Sequence, residues 1–235
     1  MKTDILIIGG GFIGVEFAEE LSNIKGLNVG IIEKLDHCLI TNFDEEFAIA
    51  AEEKLKNRGI RLFTNKTIKE IGGKEKVEYV ELDSGEKLPA DLVILSIGAR
   101  PNMELAQKAG IKIEDKGGIL VDEYLRTSIK DIFSVGDCAQ TKDFITGKNI
   151  PVMLASVAAT EARIAANNLY QIELIRENKG TVGVFSTFID GLAFGIAGLT
   201  EKRAKEEKID YLVGEAEALN RHPGTFPERE KLKLN

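Results

Sequence analysis

The chain has 235 residues, 43% of them hydrophobic and 29% charged, which suits one or two globular domains with a proper core. A net charge of −7 argues against nucleic acid, whose phosphates need clustered Lys and Arg. No apolar run approaches the roughly 18 residues of a membrane span, and no basic stretch with an apolar core marks a secretory signal, so a cytoplasmic protein with no membrane partner is expected.

The first element is the apolar run Ile5–Ile8, continuous as in a strand buried on both faces of a parallel sheet. Gly9-Gly10-Gly11-Phe12-Ile13-Gly14 follows, and Ile13, Phe17, Leu21 and Ile24 then recur at helical spacing. Asn28–Glu33 reads as a second strand that ends in a carboxylate. In such a unit Gly9 allows the tight turn, Gly11 lets the backbone approach a pyrophosphate, and Gly14 lets the helix pack close to the strand. The unpaired amides at the helix start, around Phe12 and Ile13, then face the phosphate charge. Glu33 lies nineteen residues past Gly14, where an acidic side chain accepts hydrogen bonds from the adenosine ribose. It would repel a 2′-phosphate, so NAD is expected over NADP. Lys34 could reach such a phosphate, but alternation along a strand predicts that it faces solvent. The glycine motif alone is weak. Strand, turn, helix, strand and carboxylate in that order point to dinucleotide binding, against the alternative of a turn that only links strand to helix.

Asp44–Arg58 reads as a helix with Phe47, Ala51 and Leu55 on one face and Gly59 as its stop. Ile60–Thr64 is a third strand. Residues 67–90 alternate polar and apolar around Gly72-Gly73 and Asp83-Ser84-Gly85, which predicts an antiparallel meander. Asp91–Gly98 is expected to be a buried closing strand. A second such ending, Asp131–Asp137, comes without a glycine turn of its own. One complete nucleotide domain and the second half of another are the simplest account of this imbalance.

Between these endings, Ala109-Gly110-Ile111 and Gly117–Asp122 look like a turn and a short strand crossing to a new unit. Farther on, a helix is predicted from Ala158, with Ala158, Ala162, Ala165 and Leu169 on one face. Gly183, Gly191, Gly195 and Gly198 among apolar residues suggest short strands, and a charged helix over Glu201–Lys208 follows with Thr200 as its N-cap. Lys231–Asn235 alternates like a strand but has no evident partner. Cys38 and Cys138 form no C-x-x-C, and no His/Cys cluster has metal-ligand spacing. Both cysteines are expected to be structural, as is His222.

Ile7–Glu16, Ile97–Asn102, Val121–Ser128, Ser134–Ala139 and Gly198-Leu199-Thr200 with Ala204-Lys205 together resemble the pyridine nucleotide–disulfide oxidoreductase family, on its NADH oxidase and coenzyme A-disulfide reductase branch. The resemblance covers essentially the whole chain and implies an α/β fold. A Rossmann-type NAD-binding domain (1–103) is followed by the second half of an FAD-binding domain (104–178) and the start of an α+β interface domain (179–235). It also implies that a first FAD half precedes these in the family's order, and that this half carries the FAD pyrophosphate loop and the redox-active cysteine.

The glycine turn with Glu33, Lys34 and Gly98 is expected to hold NAD, and the resemblance assigns FAD to Gly136 and Asp137, which match the ribityl-binding motif. Leu154, Ala155 and Ser156 match the segment that approaches the flavin ring. Glu16 matches an acidic position where nicotinamide and flavin meet; a solvated glutamate is the alternative. Cys138 matches a non-catalytic cysteine, and no catalytic residue or metal ligand is assigned. The implied activity is hydride transfer from NADH to flavin and on to a disulfide, oxygen or a redox protein, in a homodimer or together with a separate first FAD half. A nucleotide-binding module without activity of its own is the rival reading.

Overall fold

The computed structural model describes residues 3–114, 118–150, 152–171, 177–220 and 230–234; His222 lies outside them. Contacts divide the chain into two units, 1–200 and 201–235.

The larger unit is built on a parallel sheet. β1 (Thr3–Ile8) pairs on one side with β2 (Leu27–Ile32), Ile7 opposite Ile31, and on the other with β7 (Leu92–Leu95), Ile7 opposite Ile94. β3 (Arg61–Phe63) adds to β2, giving the order β3-β2-β1-β7. The two faces of β1 explain its unbroken apolar run. Ile5 and Ile7 join one core with Val15, Ala18, Val29 and Ile31, whereas Leu6 and Ile8 join a second with Val80, Leu82 and Leu88. Alternate side chains of a strand point to opposite faces, so a strand covered on both sides must be apolar throughout.

The first core is covered by α1 (Phe12–Ser22) and α2 (Glu45–Asn57). In α1 the period is helical as expected, but the phase differs. The buried residues are Gly14, Val15 and Ala18, while Ile13, Phe17 and Ile24 of the apolar stripe expose 57%, 49% and 54% of their surface. Close approach to the sheet selects the smallest side chains for the inner face and turns the larger ones outward. α2 agrees with its expected face: Ala51 and Leu55 are fully buried and Phe47 packs against them. Glu45 and Glu46 in its first turn and Lys54 and Lys56 in its last complement the helix dipole. Gly59 (φ +79°) takes the left-handed turn that ends it.

The second core is covered by the expected meander, β4 (Ile68–Gly72), β5 (Tyr79–Leu82) and β6 (Lys87–Pro89), paired antiparallel in sequence order. β7 is not the buried strand expected. It is an outer strand of the sheet, with no strand paired beyond it among the described residues, and Leu92 and Leu95 expose 48% and 60% of their surface.

The following segment holds α3 (Glu104–Lys108), which the sequence reading did not foresee, then β8 (Ile113–Glu114) and β9 (Gly118–Ile119). The expected strand over Ile132–Val135 reduces to one bridge, Arg126 to Phe133. A single 3-10 turn at Gly136–Cys138, the short pair β10 (Thr141–Lys142) and β11 (Asn149–Ile150), and α4 (Ala155–Asn167) come next. α4 starts three residues earlier than expected and buries Glu161, Ile164 and Ala165; Ala162 and Leu169 of the predicted stripe are exposed.

β12 (Val184–Ile189) and β13 (Leu192–Ala197) then form a hairpin. Asp190 (φ +45°) and Gly191 (φ +78°) form its two-residue tip and supply the left-handed pair such a turn demands. The smaller unit contains α5 (Glu201–Glu206), β14 (Ala216–Leu219) and β15 (Lys231–Leu234). Here the alternating tail does have a partner: β15 pairs antiparallel with β14, Lys233 opposite Glu217.

Candidate functional site

The sheet order places a topological switch at β1, where the chain's outward course through β2 and β3 reverses to β7. Ligands of open parallel sheets bind at the carboxyl ends of the strands at such a point. A cavity of about 700 Å³ lies there, bordered by Gly9–Ile13 after β1, Glu33 and Lys34 after β2, Lys66–Ile68 after β3, and Ser96–Gly98 after β7.

Each glycine of the turn has its own reason. Gly9 sits at φ +108°, and a Cβ there would come within 2.4 Å of the Ser96 carbonyl oxygen. A Cβ on Gly14 would lie 1.9 Å from the Gly9 carbonyl oxygen, so this glycine sets how closely helix meets strand. Gly11 has nothing within 4 Å of such a Cβ and faces open space. Gly10, which had no role in the sequence reading, is walled by Cys38 and Glu33. Ser96 ties the crossing together: its hydroxyl donates to the carbonyls of Ile8 (3.0 Å) and Gly9 (2.9 Å). The amide of Val15 is taken up by Gly11 O at 3.0 Å. The first-turn amides before it lack intrahelical acceptors, as at any helix start.

Glu33 does more than border the cavity. Its carboxylate accepts the amide N–H of Gly10 (2.5 Å) and of Leu35 (2.8 Å), and Leu39 N–H returns a bond to Gly10 O (2.8 Å). The loop after β2 thus wraps the glycine turn. Glu52 holds this loop from α2, accepting Cys38 N–H at 2.9 Å, with His37 Nδ1 at 3.4 Å and Lys56 Nζ at 3.5 Å. Burial above all, with Glu52 and Glu33 nearby, pushes the Cys38 thiol up to about 12. That is the behaviour of an inert, packed cysteine. Lys34, which strand alternation turns toward solvent, is exposed and also borders the cavity, as does Lys66.

The other predicted residues form a separate group. Gly136 (φ +73°) rests on the first turns of α4, where a Cβ would come within 3.2 Å of Ala158 Cβ. The Gly136–Asp137 turn and the helix start at Leu154, Ala155 and Ser156 are thereby brought together, with Asp137, Ala155 and Ser156 exposed. Their organiser is Glu161, buried to 2% exposure, which accepts Gly136 N–H at 2.8 Å and the Thr141 hydroxyl at 3.1 Å. Burial pushes its carboxyl above the usual range against the downward pull of those bonds. A charged residue within the alanine-rich run Ala158–Ala166 was the sequence signal for it. Glu16 belongs to neither group; it accepts the Thr187 hydroxyl at 3.2 Å.

Among the described residues no cluster of three or more His, Cys, Asp or Glu could hold a metal ion, and no helix is long and apolar enough to cross a membrane.

A family described as Pyridine nucleotide-disulphide oxidoreductase matches residues 1–162. The chain is 36% identical over 231 residues to a CoA-dependent NAD(P)H sulfur oxidoreductase of Pyrococcus furiosus, covering 98% of this chain and 51% of that protein. It is 35% identical over 223 residues to an NADH oxidase of Methanocaldococcus jannaschii, covering 94% and 49%. Among solved structures, a NAD-dependent persulfide reductase from A. fulgidus superposes with a TM-score of 0.90 at 32% identity, covering 98% of this chain and 42% of that one. A water-forming NADH oxidase from Lactobacillus brevis, bound to NADH, gives 0.84 at 26%, covering 97% and 50%. The chain thus spans about half the length of the curated relatives it matches.

Proposed function

Because this chain belongs to the pyridine nucleotide-disulphide oxidoreductase family, we propose that it is the nucleotide-handling part of an NAD(P)H-dependent flavoprotein oxidoreductase. The observation that carries the reading is the cavity itself, where the glycine turn, Glu33 and Gly98 meet at the switch point of the sheet. The open space beside Gly11 fits a diphosphate, and Glu33 fits a ribose. Gly9, Gly11, Phe12, Ile13 and Gly14 form the diphosphate cradle, with Glu33 and Lys34 at the adenosine end. Gly136, Asp137, Leu154, Ala155 and Ser156 are the flavin-facing group.

Nicotinamide and flavin, when bound, would supply the hydride and electron-carrying chemistry for reducing a disulfide, persulfide, oxygen or a redox protein. The chain's own residues orient, bind and tune. Glu33 fixes the adenosine ribose while holding the Gly10 amide. Ser96 locks the β7 end against the turn. Glu161 keeps the Gly136–Asp137 turn on α4. We assign residues 1–103 to the NAD domain, 104–178 to the second FAD half and 179–235 to the interface domain, in a cytoplasmic enzyme that works as a homodimer or with a separate first FAD half.

Calorimetric titration of the chain with NADH tests the reading, and saturable one-to-one binding is the expected result. Absence of NADH binding to the folded chain overturns it. A colourless chain that binds NADH in every preparation, and never takes up a flavin even with candidate first halves, corresponds instead to a nucleotide-binding module without activity of its own.

A further inference from the structure

The hairpin β12–β13 lies far along the chain from the glycine turn, yet it packs on the helix that the turn opens. Ile189, fully buried, and Phe194, 6% exposed, share a core with Ile5, Ile7 and Val15. Three contacts clasp the hairpin onto α1 and α2. The ring of Phe185 stacks on Phe12 with centroids 5.7 Å apart and planes at 18°. Thr187, two residues on and therefore on the same face of the strand, donates to Glu16 at 3.2 Å. At the tip, Asp190 faces Arg58 at 3.6 Å and Lys54 at 4.0 Å.

The receiving residues matter. Phe12 opens α1, borders the cavity and is flanked on its other side by Phe43 at 5.7 Å. Glu16 follows one helical turn later, on the same face of α1. The hairpin therefore holds α1 at two points, one in its first turn and one a turn later, and the first turn borders the cavity with amides that have no intrahelical acceptor. Donors fixed before a ligand arrives bind it more tightly than donors that must be ordered by it.

We propose that Phe185 and Thr187 are positioning residues for a diphosphate-bearing nucleotide, acting through Phe12 and Glu16 on the glycine turn. The proposal rests on the reading of the cavity as a dinucleotide site. It extends that site to a strand assigned, on the sequence, to a different domain.

The test compares three ligands, NADH, ADP and adenosine, on the unmodified chain and on Thr187→Val, Thr187→Ser and Phe185→Leu. Thr187→Val removes the hydroxyl and keeps the shape, whereas Thr187→Ser restores the donor. Titration by calorimetry, with magnetic-resonance line broadening for adenosine, should show NADH and ADP weakened about three- to tenfold by Thr187→Val and by Phe185→Leu. Adenosine, which carries no diphosphate, should change by less than about twofold, and Thr187→Ser should stay near the unmodified chain. If Phe185→Leu does not fold, the Val and Ser pair at 187 decides alone. Equal losses for adenosine and ADP, or unchanged ADP binding in folded Thr187→Val, overturn the proposal and leave the dinucleotide reading standing. Failure of the unmodified chain to bind NADH and ADP sinks both.

Discussion

Glu33 carries two duties that pull on any experiment designed around it. As a carboxylate beside the cavity it should favour NADH, whose ribose hydroxyls can donate to it, and repel the 2′-phosphate of NADPH. Charge-assisted hydrogen bonds are worth about 1.5–3 kcal/mol, but Lys34 and Lys66 border the same cavity and offset part of the repulsion. We expect a preference for NADH of about tenfold, the low end of that range. Glu33→Ala would also strip the Gly10 and Leu35 amides of their acceptor, so Glu33→Gln is the cleaner probe. Equal NADH and NADPH affinities in the unmodified chain would remove this role from Glu33. Glu161 makes a different prediction, one of pH. Its carboxyl titrates above the usual range in the folded chain, chiefly through burial, so the native state holds a proton that the unfolded chain releases earlier. Stability from this group is full below the ordinary carboxylate value and is lost as pH rises through the raised one. Thermal melts followed from the ordinary carboxylate range upward should therefore fall less steeply with pH for Glu161→Gln, whose amide can still accept from Gly136 and donate to Thr141. Identical slopes for the two proteins would contradict the account.

Among the elements, α1 shows what a sequence discloses and what it conceals. The length of the helix and the spacing of its apolar residues are legible, because 3.6-residue periodicity is local. Its phase is not, because the inner face is chosen by how near the sheet comes, and only Gly14 meets the 1.9 Å restriction there. The same physics rotates α4, where Glu161 faces inward on bonds to Gly136 and Thr141 that no local pattern reveals. The edge position of β7 was equally hidden, since apolar composition cannot separate a central strand from an outer one. The glycine turn and Glu33, by contrast, follow from backbone rules that hold wherever a strand feeds a helix this way. Gly14→Ala tests the point. The added methyl must push helix from strand, so we expect a loss of about 1–3 kcal/mol in urea unfolding together with weakened NADH binding. An unchanged midpoint would mean that the crossing can relax.

At the scale of the whole molecule, the two predicted cofactor groups differ in enclosure. The NAD group borders a cavity of about 700 Å³, whereas Asp137, Ala155 and Ser156 lie exposed on the surface. We accordingly expect the chain alone to purify without flavin and to associate with itself through apolar surface such as Leu92, Leu95 and Ile97 on and beside β7, which expose 48%, 60% and 74% of their area. Stoichiometric yellow FAD, or a monomer whose sedimentation does not change with concentration, would contradict the two halves of that expectation. The residues that hold the glycine turn also come late in the chain. Ser96 reaches back 87 positions to Gly9, and Thr187 reaches back 171 to Glu16. Closing such long loops is entropically slow, while α1 and α2 need only neighbours in sequence. Helix content should therefore return early in refolding and the capacity to change NADH fluorescence only afterwards, because the glycine turn becomes a finished binding site only once a strand about 170 positions farther along has closed onto the helix it opens.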